Sequence, residues 1–255
     1  MSVLDIFLSS YNIELPQLHL LPLFHSCECF DSISILRDAR LSTHQCPVFG
    51  EELLYFFYGK PAYPAGEKEK KYRTDIDYCP VCFIVNPEII PIYKIFPFDS
   101  GAFTRNMYSD FFYRRVALDD YSINNSLEAL LKYIAVFYEN NSNYIRGNAV
   151  IRLPIFEEHI DSLIRLLNPN GAYNIDERSH TVEVISNQDV VLDKAVECII
   201  LPEDLLRYEV VQSFFSEHKI PHREYIVRTL TSPSRYNEVI FSMAMDYLEE
   251  RNIDG

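Results

Sequence analysis

The apolar runs of this chain change period without a fixed rhythm, short strand-like stretches being followed now by a helical repeat and now by another strand. A doubly wound sheet needs strand and helix in regular alternation, so the order points instead to an α+β fold with an antiparallel-rich sheet. Leu20 to Phe24 reads as a short buried strand. Phe30, Ile33, Ile35 and Leu36 behind an N-cap at Asp31 or Ser32 read as an amphipathic helix, with His25 at the junction. Residues 53–58, LLYFFY, make an aromatic strand ended by Gly59, Pro61 and Pro64. Strands are expected at 79–85 and at 89–95, where Pro91 marks an edge. Asn125 with Glu128 resembles a capping box opening a helix over 126–139, and a helix over 155–167 stops at Asn168-Pro169-Asn170-Gly171. Thr181 to Ile185, Val190 to Leu192 and Cys198 to Leu201 read as strands, and Pro202 at N1 opens a helix to about 216. A strand at 223–228 and a helix at 236–251 finish the chain. Residues 97–124 show mixed periodicity, and about 97–170 is expected to be a helical insertion within a single domain spanning 1–255.

Composition narrows the function classes. Hydrophobic residues make up 48% and charged residues 24%, enough for a real core. With 37 acidic and 23 basic residues the net charge is −14, which opposes nonspecific attraction to nucleic acid or anionic membrane. A polyanionic partner would need a local basic patch, and Lys68, Lys70, Lys71 and Arg73 in the charged run Gly66 to Thr74 supply the one candidate. The bland reading of that run is a solvated loop. No apolar run reaches the ~20 residues of a membrane span, and the N-terminus lacks a basic n-region and a small-residue cleavage site. A cytoplasmic protein with no membrane partner is expected. Gly is scarce at 7 residues, and neither a GxxxxGK phosphate loop nor GxGxxG occurs. Six cysteines in a chain of 255 are too sparse for a disulfide framework, so buried free thiols are the default.

One constellation carries chemistry. His25-Ser26 closes a strand, the helix from Ile33 to Leu41 follows, and about thirty residues after the His comes Tyr55-Phe56, with Tyr58 and Tyr63 behind it. Far along the chain, Glu183 stands in Thr181-Val182-Glu183-Val184-Ile185, ahead of Val190-Val191-Leu192 and Ile199-Ile200-Leu201-Pro202. This arrangement resembles the ADP-ribosyltransferases of the His-Tyr-Glu type, from the poly(ADP-ribose) polymerase and diphtheria-toxin branch to the DarT-like toxins. The resemblance implies a split β-sheet core and NAD as substrate. It implies Glu183, His25 and Tyr55 as catalytic residues, and His25, Ser26, Tyr55, Tyr58 and Tyr63 as the NAD-binding set. It also implies no metal, a macromolecular acceptor that is protein or nucleic acid, and a role as a toxin or phage-defence effector with an antitoxin or inhibitor as partner. Two positions depart from the pattern: Ser26 stands where the polymerase branch commonly has Gly, and Thr181-Val182 where arginine-specific enzymes carry an acidic residue. Glu238, in Tyr236-Asn237-Glu238-Val239-Ile240, competes with Glu183, but its surroundings repeat with helical period.

These residue types suit the chemistry on physical grounds. Breaking the nicotinamide glycosidic bond leaves an oxocarbenium-like ribose, and a carboxylate near the anomeric carbon and the 2′-OH supports that charge. An aromatic ring holds the leaving group, and a His can hydrogen-bond a ribose hydroxyl and fix the dinucleotide. Two other readings stand beside this one. With water as acceptor the same pocket makes an NAD glycohydrolase. Alternatively Cys79-Pro80-Val81-Cys82 has zinc-knuckle spacing, and with His25, Cys27, Cys29, His44 or Cys46 it would make a noncatalytic interaction module with structural zinc.

Overall fold

The structure, a computed structural model, describes residues 1–13, 18–63, 76–113, 115–153, 156–169, 176–228 and 231–251. Helix α1 (Val3–Ser9) starts where the Ser2 side chain accepts the Asp5 N–H at 2.9 Å, and it buries Leu4, Phe7 and Leu8. Strand β1 (Leu23–Glu28) runs into α2 (Cys29–Asp38), which stops because Ala39 turns left-handed at φ 48°. Short strands β2 (Arg40–Leu41) and β3 (His44–Gln45) lead to β4 (Glu52–Tyr58), followed by β5 (Pro80–Val85) and β6 (Lys94–Phe96). Next come the helices α3 (Ser100–Thr104), α4 (Leu127–Tyr138), α5 (Asn141–Ile145) and α6 (Glu158–Leu167). Strands return with β7 (Glu183–Ser186) and β8 (Val190–Val191), then the one-turn α7 (Leu192–Ala195) and β9 (Val196–Pro202). Helix α8 (Glu209–His218), β10 (His222–Tyr225) and α9 (Tyr236–Glu250) complete the fold.

The main sheet has the order β10, β9, β5, β1, β4, β7, β6, with β3 also paired to β4. Every neighbouring pair is antiparallel except β10 with β9, as the α+β expectation requires. Strand β1 pairs with β5 along its whole length, from Leu23↔Val85 to Glu28↔Pro80, but with β4 only at Leu23↔Tyr58 and Phe24↔Phe57. Past Phe24 the two strands part, and this is the split in the sheet.

Alternation sorts the side chains around that split. Leu54, Phe56 and Tyr58 of β4 share a face with Val184 and Ile95 and enter the main core, where each fully buried aromatic contributes roughly 2 to 3 kcal/mol. Leu53, Tyr55 and Phe57 share the other face with Glu183, Ile185 and Phe96. There Cys46, Leu53, Phe96 and Ile185 form a second, smaller apolar cluster. Tyr144 ties β4 to the entry of β7: its hydroxyl donates to the Tyr58 carbonyl at 2.8 Å and accepts the Val182 N–H at 3.0 Å.

Several boundaries differ from the sequence expectation. The first strand extends to Glu28, so His25 lies within it, and α2 begins at Cys29 with Glu28 rather than Asp31 or Ser32 at the N-cap. Segment 89–95 is not one strand: a 3₁₀ turn occupies Pro87–Ile89, and only Lys94–Phe96 pairs, although the edge position is as expected. Helix α4 is capped by Ser126, whose side chain accepts the Ala129 N–H at 3.1 Å, rather than by Asn125. Pro202 ends β9 instead of opening a long helix, and a 3₁₀ segment, Glu203–Arg207, separates it from α8. The charged run 66–74 lies outside the described residues.

Candidate active site

The strand order brings the three motif strands side by side, because β1, β4 and β7 are consecutive in the sheet. Phe24, Phe57 and Glu183 stand in one row across them. Where β1 leaves β4, the His25 ring spans the gap and its Nδ1 lies 2.9 Å from the Tyr55 carbonyl oxygen. The carbonyl accepts, so Nδ1 carries the hydrogen and Nε2 of the neutral ring keeps a lone pair. Burial pushes the His25 pKa below the usual histidine value, the Tyr55 carbonyl opposes this, and His44 adds to the depression. The ring also packs edge-on against Phe56 at 5.8 Å between centroids.

Ser26, one residue on, faces the side of the sheet that carries Tyr55 and Glu183. Its Oγ donates to the Tyr63 hydroxyl at 3.0 Å, fixing the aromatic ring that follows the Gly59 turn. Tyr63 is half-buried. Tyr58 is not accessible: its ring is fully buried, and its hydroxyl accepts the Leu21 N–H at 3.0 Å. Of Tyr58 and Tyr63, both in the NAD-binding set that the resemblance implies, only Tyr63 keeps an accessible ring.

Tyr55 is half-buried on β4, and its hydroxyl donates to Cys46 Sγ at 2.7 Å. Burial pushes its pKa upward, with Cys46 and the nearby Glu183 adding to the effect. Glu183 itself is 3% exposed and accepts the Ser100 N–H at 3.2 Å. Burial first and Asp99 second push its carboxyl up to about 8, against the pull of Ser100. The Glu183 carboxyl is thus mostly protonated near neutral pH.

Behind Glu183 stands an ion network that the sequence reading missed. Arg178 is 7% exposed; its Nη1 donates to Asp99 Oδ2 at 3.0 Å, and Nε and Nη2 grip Asp176 at 2.9 and 2.8 Å. Asp99 in turn caps α3 by accepting the Ala102 N–H at 2.6 Å. The capping residue was legible as Asp ahead of Ser100-Gly101-Ala102, but nothing local names Arg178 as its partner.

The competing residues are placed elsewhere. Glu238 is exposed in the first turn of α9 rather than on a strand beside β4. For the zinc reading, Cys46 is taken by Tyr55 and His44 is exposed on β3. Among the described residues no group of three or more His, Cys, Asp or Glu side chains is arranged to hold a metal ion. No helix among them is long and apolar enough to cross a membrane.

No family model matches the chain, and no curated protein matches it. Among solved structures the chain is similar to Thermus sp. 2.9 DarT in complex with carba-NAD+, with 9% sequence identity and a TM-score of 0.39, over 84% of this chain and 97% of that one.

Proposed function

We propose that the chain is an ADP-ribosyltransferase that cleaves NAD at the nicotinamide bond and passes ADP-ribose to a macromolecular acceptor in the cytoplasm. One observation carries the reading. Residues separated by more than a hundred positions in sequence lie on three consecutive strands, β1, β4 and β7, at a split in the sheet, with His25 bonded to Tyr55 and Tyr55 adjoining Glu183.

The parts have complementary roles. The free Nε2 of His25 accepts a ribose hydroxyl, and the half-buried Tyr63 ring, held by Ser26, stacks against nicotinamide. His25 and Glu183 project toward different faces of the sheet, one on each side of β4. The nicotinamide ring of NAD is cationic. Its arrival beside the buried Glu183 favours the ionised carboxylate, which then supports the positive charge passing to the anomeric carbon as nicotinamide departs with the bonding electron pair. The acceptor supplies the new bond to that carbon and gives up its proton. No metal is assigned a role.

The test uses NAD labelled on the adenylate phosphate, offered with protein and nucleic acid from cell lysate, comparing wild type with Glu183→Gln. Label transfer that disappears in the variant supports the transferase and reveals the acceptor class. Nicotinamide release without transfer means that water is the acceptor, and folded wild type doing neither overturns the reading.

A further inference from the structure

The N-terminal turn of α3 presses its first backbone N–H onto a buried carboxyl, and an arginine from a distant segment holds that turn in place. The Ser100 N–H reaches Glu183 Oε2 at 3.2 Å. The preceding residue, Asp99, is tied at three points: its Oδ1 accepts the Ala102 N–H at 2.6 Å, its Oδ2 accepts Arg178 Nη1 at 3.0 Å, and its own N–H donates to the Arg178 carbonyl at 3.0 Å. Arg178 therefore clasps Asp99 with both its side chain and its backbone. Asp176 holds the other edge of the same guanidinium, so the arginine is fixed between two nearly buried carboxylates and its departure would cost both ion pairs.

We propose that Arg178 is a positioning residue that acts on Glu183 through Asp99, keeping the Ser100 N–H on the Glu183 carboxyl and offsetting the Asp99 charge beside it. The groups that face Glu183 come from four places. Asp99 and Ser100 lie at the start of α3, Tyr108 follows that helix, Tyr55 comes from β4, and Cys46 comes from the turn before β4. Of these, Asp99 is the carboxylate, and Arg178 is the cation bonded to it. The Tyr108 hydroxyl is buried with no hydrogen-bond partner among the described residues, so it does not take over the duty of Ser100. Loss of Arg178 then acts twice in the same direction. It unmasks Asp99 and it releases the turn that aims the N–H, and each change favours the protonated form of Glu183.

The inference deepens the catalytic reading of Glu183, but its first readout stands without it. In the ligand-free protein, the Glu183 carboxyl is titrated by carbon-13 NMR, with Glu183→Gln assigning the signal. Arg178→Gln is expected to raise the midpoint by about one pH unit. Asp99→Asn keeps an N-cap and a partner for Arg178 while removing the charge, so it is expected to lower the midpoint by a similar amount. In the Asp99→Asn background, the Arg178→Gln shift should fall to less than half. An unchanged midpoint in Asp99→Asn overturns the proposal, even where Arg178→Gln fails to fold. So does an undiminished Arg178→Gln shift in the double variant, because Arg178 would then act independently of Asp99. A second arm follows nicotinamide release against pH, where the profile should move with the NMR midpoint. NMR shifts as expected with no release even from wild type uphold the positioning role and defeat the catalytic reading instead.

Discussion

His25 closes the split in the sheet by donating from Nδ1 to the Tyr55 carbonyl at 2.9 Å, a bond made where the β1 and β4 backbones no longer pair with each other. The imidazole thus has a structural nitrogen and a free one, and substitution can separate them. In His25→Asn the side-chain amide replaces Nδ1 as donor, so stability should change by less than about 1 kcal/mol in urea unfolding. The acceptor at Nε2 is lost, and KM for NAD should rise by about tenfold, the worth of one hydrogen bond. His25→Ala loses both and should cost about 1 kcal/mol of stability besides. A wild-type KM in His25→Asn would remove the histidine from NAD binding.

Glu183 gives a prediction with a sign. Its carboxyl titrates at about 8 in the fold against an ordinary 4.5, so between those values the folded state holds a proton that the unfolded state releases. Stability contributed by this group is present below pH 4.5 and is lost as pH rises to about 8, at roughly 1.4 kcal/mol for each pH step. Glu183→Gln should remove that slope and melt higher than wild type at pH 9. In activity the sign is opposite. Nicotinamide release should climb with pH through about 8 in wild type, while Glu183→Gln should be slower by roughly 10² to 10³ and flat over the same range. A wild-type profile without that limb would separate the carboxylate from the chemistry.

The strands that build the site were readable because their burial is one-sided or complete, and apolar spacing reports burial. LLYFFY and Thr181 to Ile185 fall where β4 and β7 lie. The extension of β1 through His25, Ser26, Cys27 and Glu28 was not readable, since it rests on backbone pairing with β5 rather than on apolar side chains. The split was readable only through the family resemblance, because it is an absence of pairing after Phe24 and leaves no local mark. Arg178 and Asp99 are 79 residues apart, and a buried ion pair between distant segments has no periodic signature. Tyr58 shows the opposite failure, as an aromatic in a promising motif whose hydroxyl belongs to Leu21.

Tyr63 and Ser26 test whether the ring or the hydroxyl binds. The Ser26 to Tyr63 bond orients the ring, while any stacking on nicotinamide comes from the ring itself. Tyr63→Phe should keep NAD affinity within about threefold, and Tyr63→Ala should lose tenfold or more, measured by calorimetry with a nonhydrolysable NAD analogue. Ser26→Ala should likewise stay within about threefold, since it leaves the ring in place and the Tyr63 hydroxyl keeps its contact with Cys82. Equal losses in Tyr63→Phe and Tyr63→Ala would assign the contact to the hydroxyl and remove stacking from the mechanism.

Gly59 makes the turn that carries the chain from β4 toward Tyr63, at φ +73° and under close contact. A Cβ there would meet Leu21 Cδ1 at 2.7 Å and Tyr144 Cε1 at 2.9 Å, and both neighbours are buried, so neither can retreat freely. Gly50 has nearly the same backbone, φ +71°, with nothing within 4 Å of the added carbon. Comparing the two alanine variants separates backbone strain from collision. Gly50→Ala should cost about 1 kcal/mol, the penalty for a left-handed residue with a side chain. Gly59→Ala should cost about 1 to 3 kcal/mol more, from overpacking against Leu21 and Tyr144. The same displacement moves Tyr63 away from Ser26, so Gly59→Ala should raise KM for NAD while Gly50→Ala leaves it unchanged. Urea unfolding and initial-rate kinetics on the two proteins read both effects, and equal stability losses would mean that the Gly59 turn yields without strain.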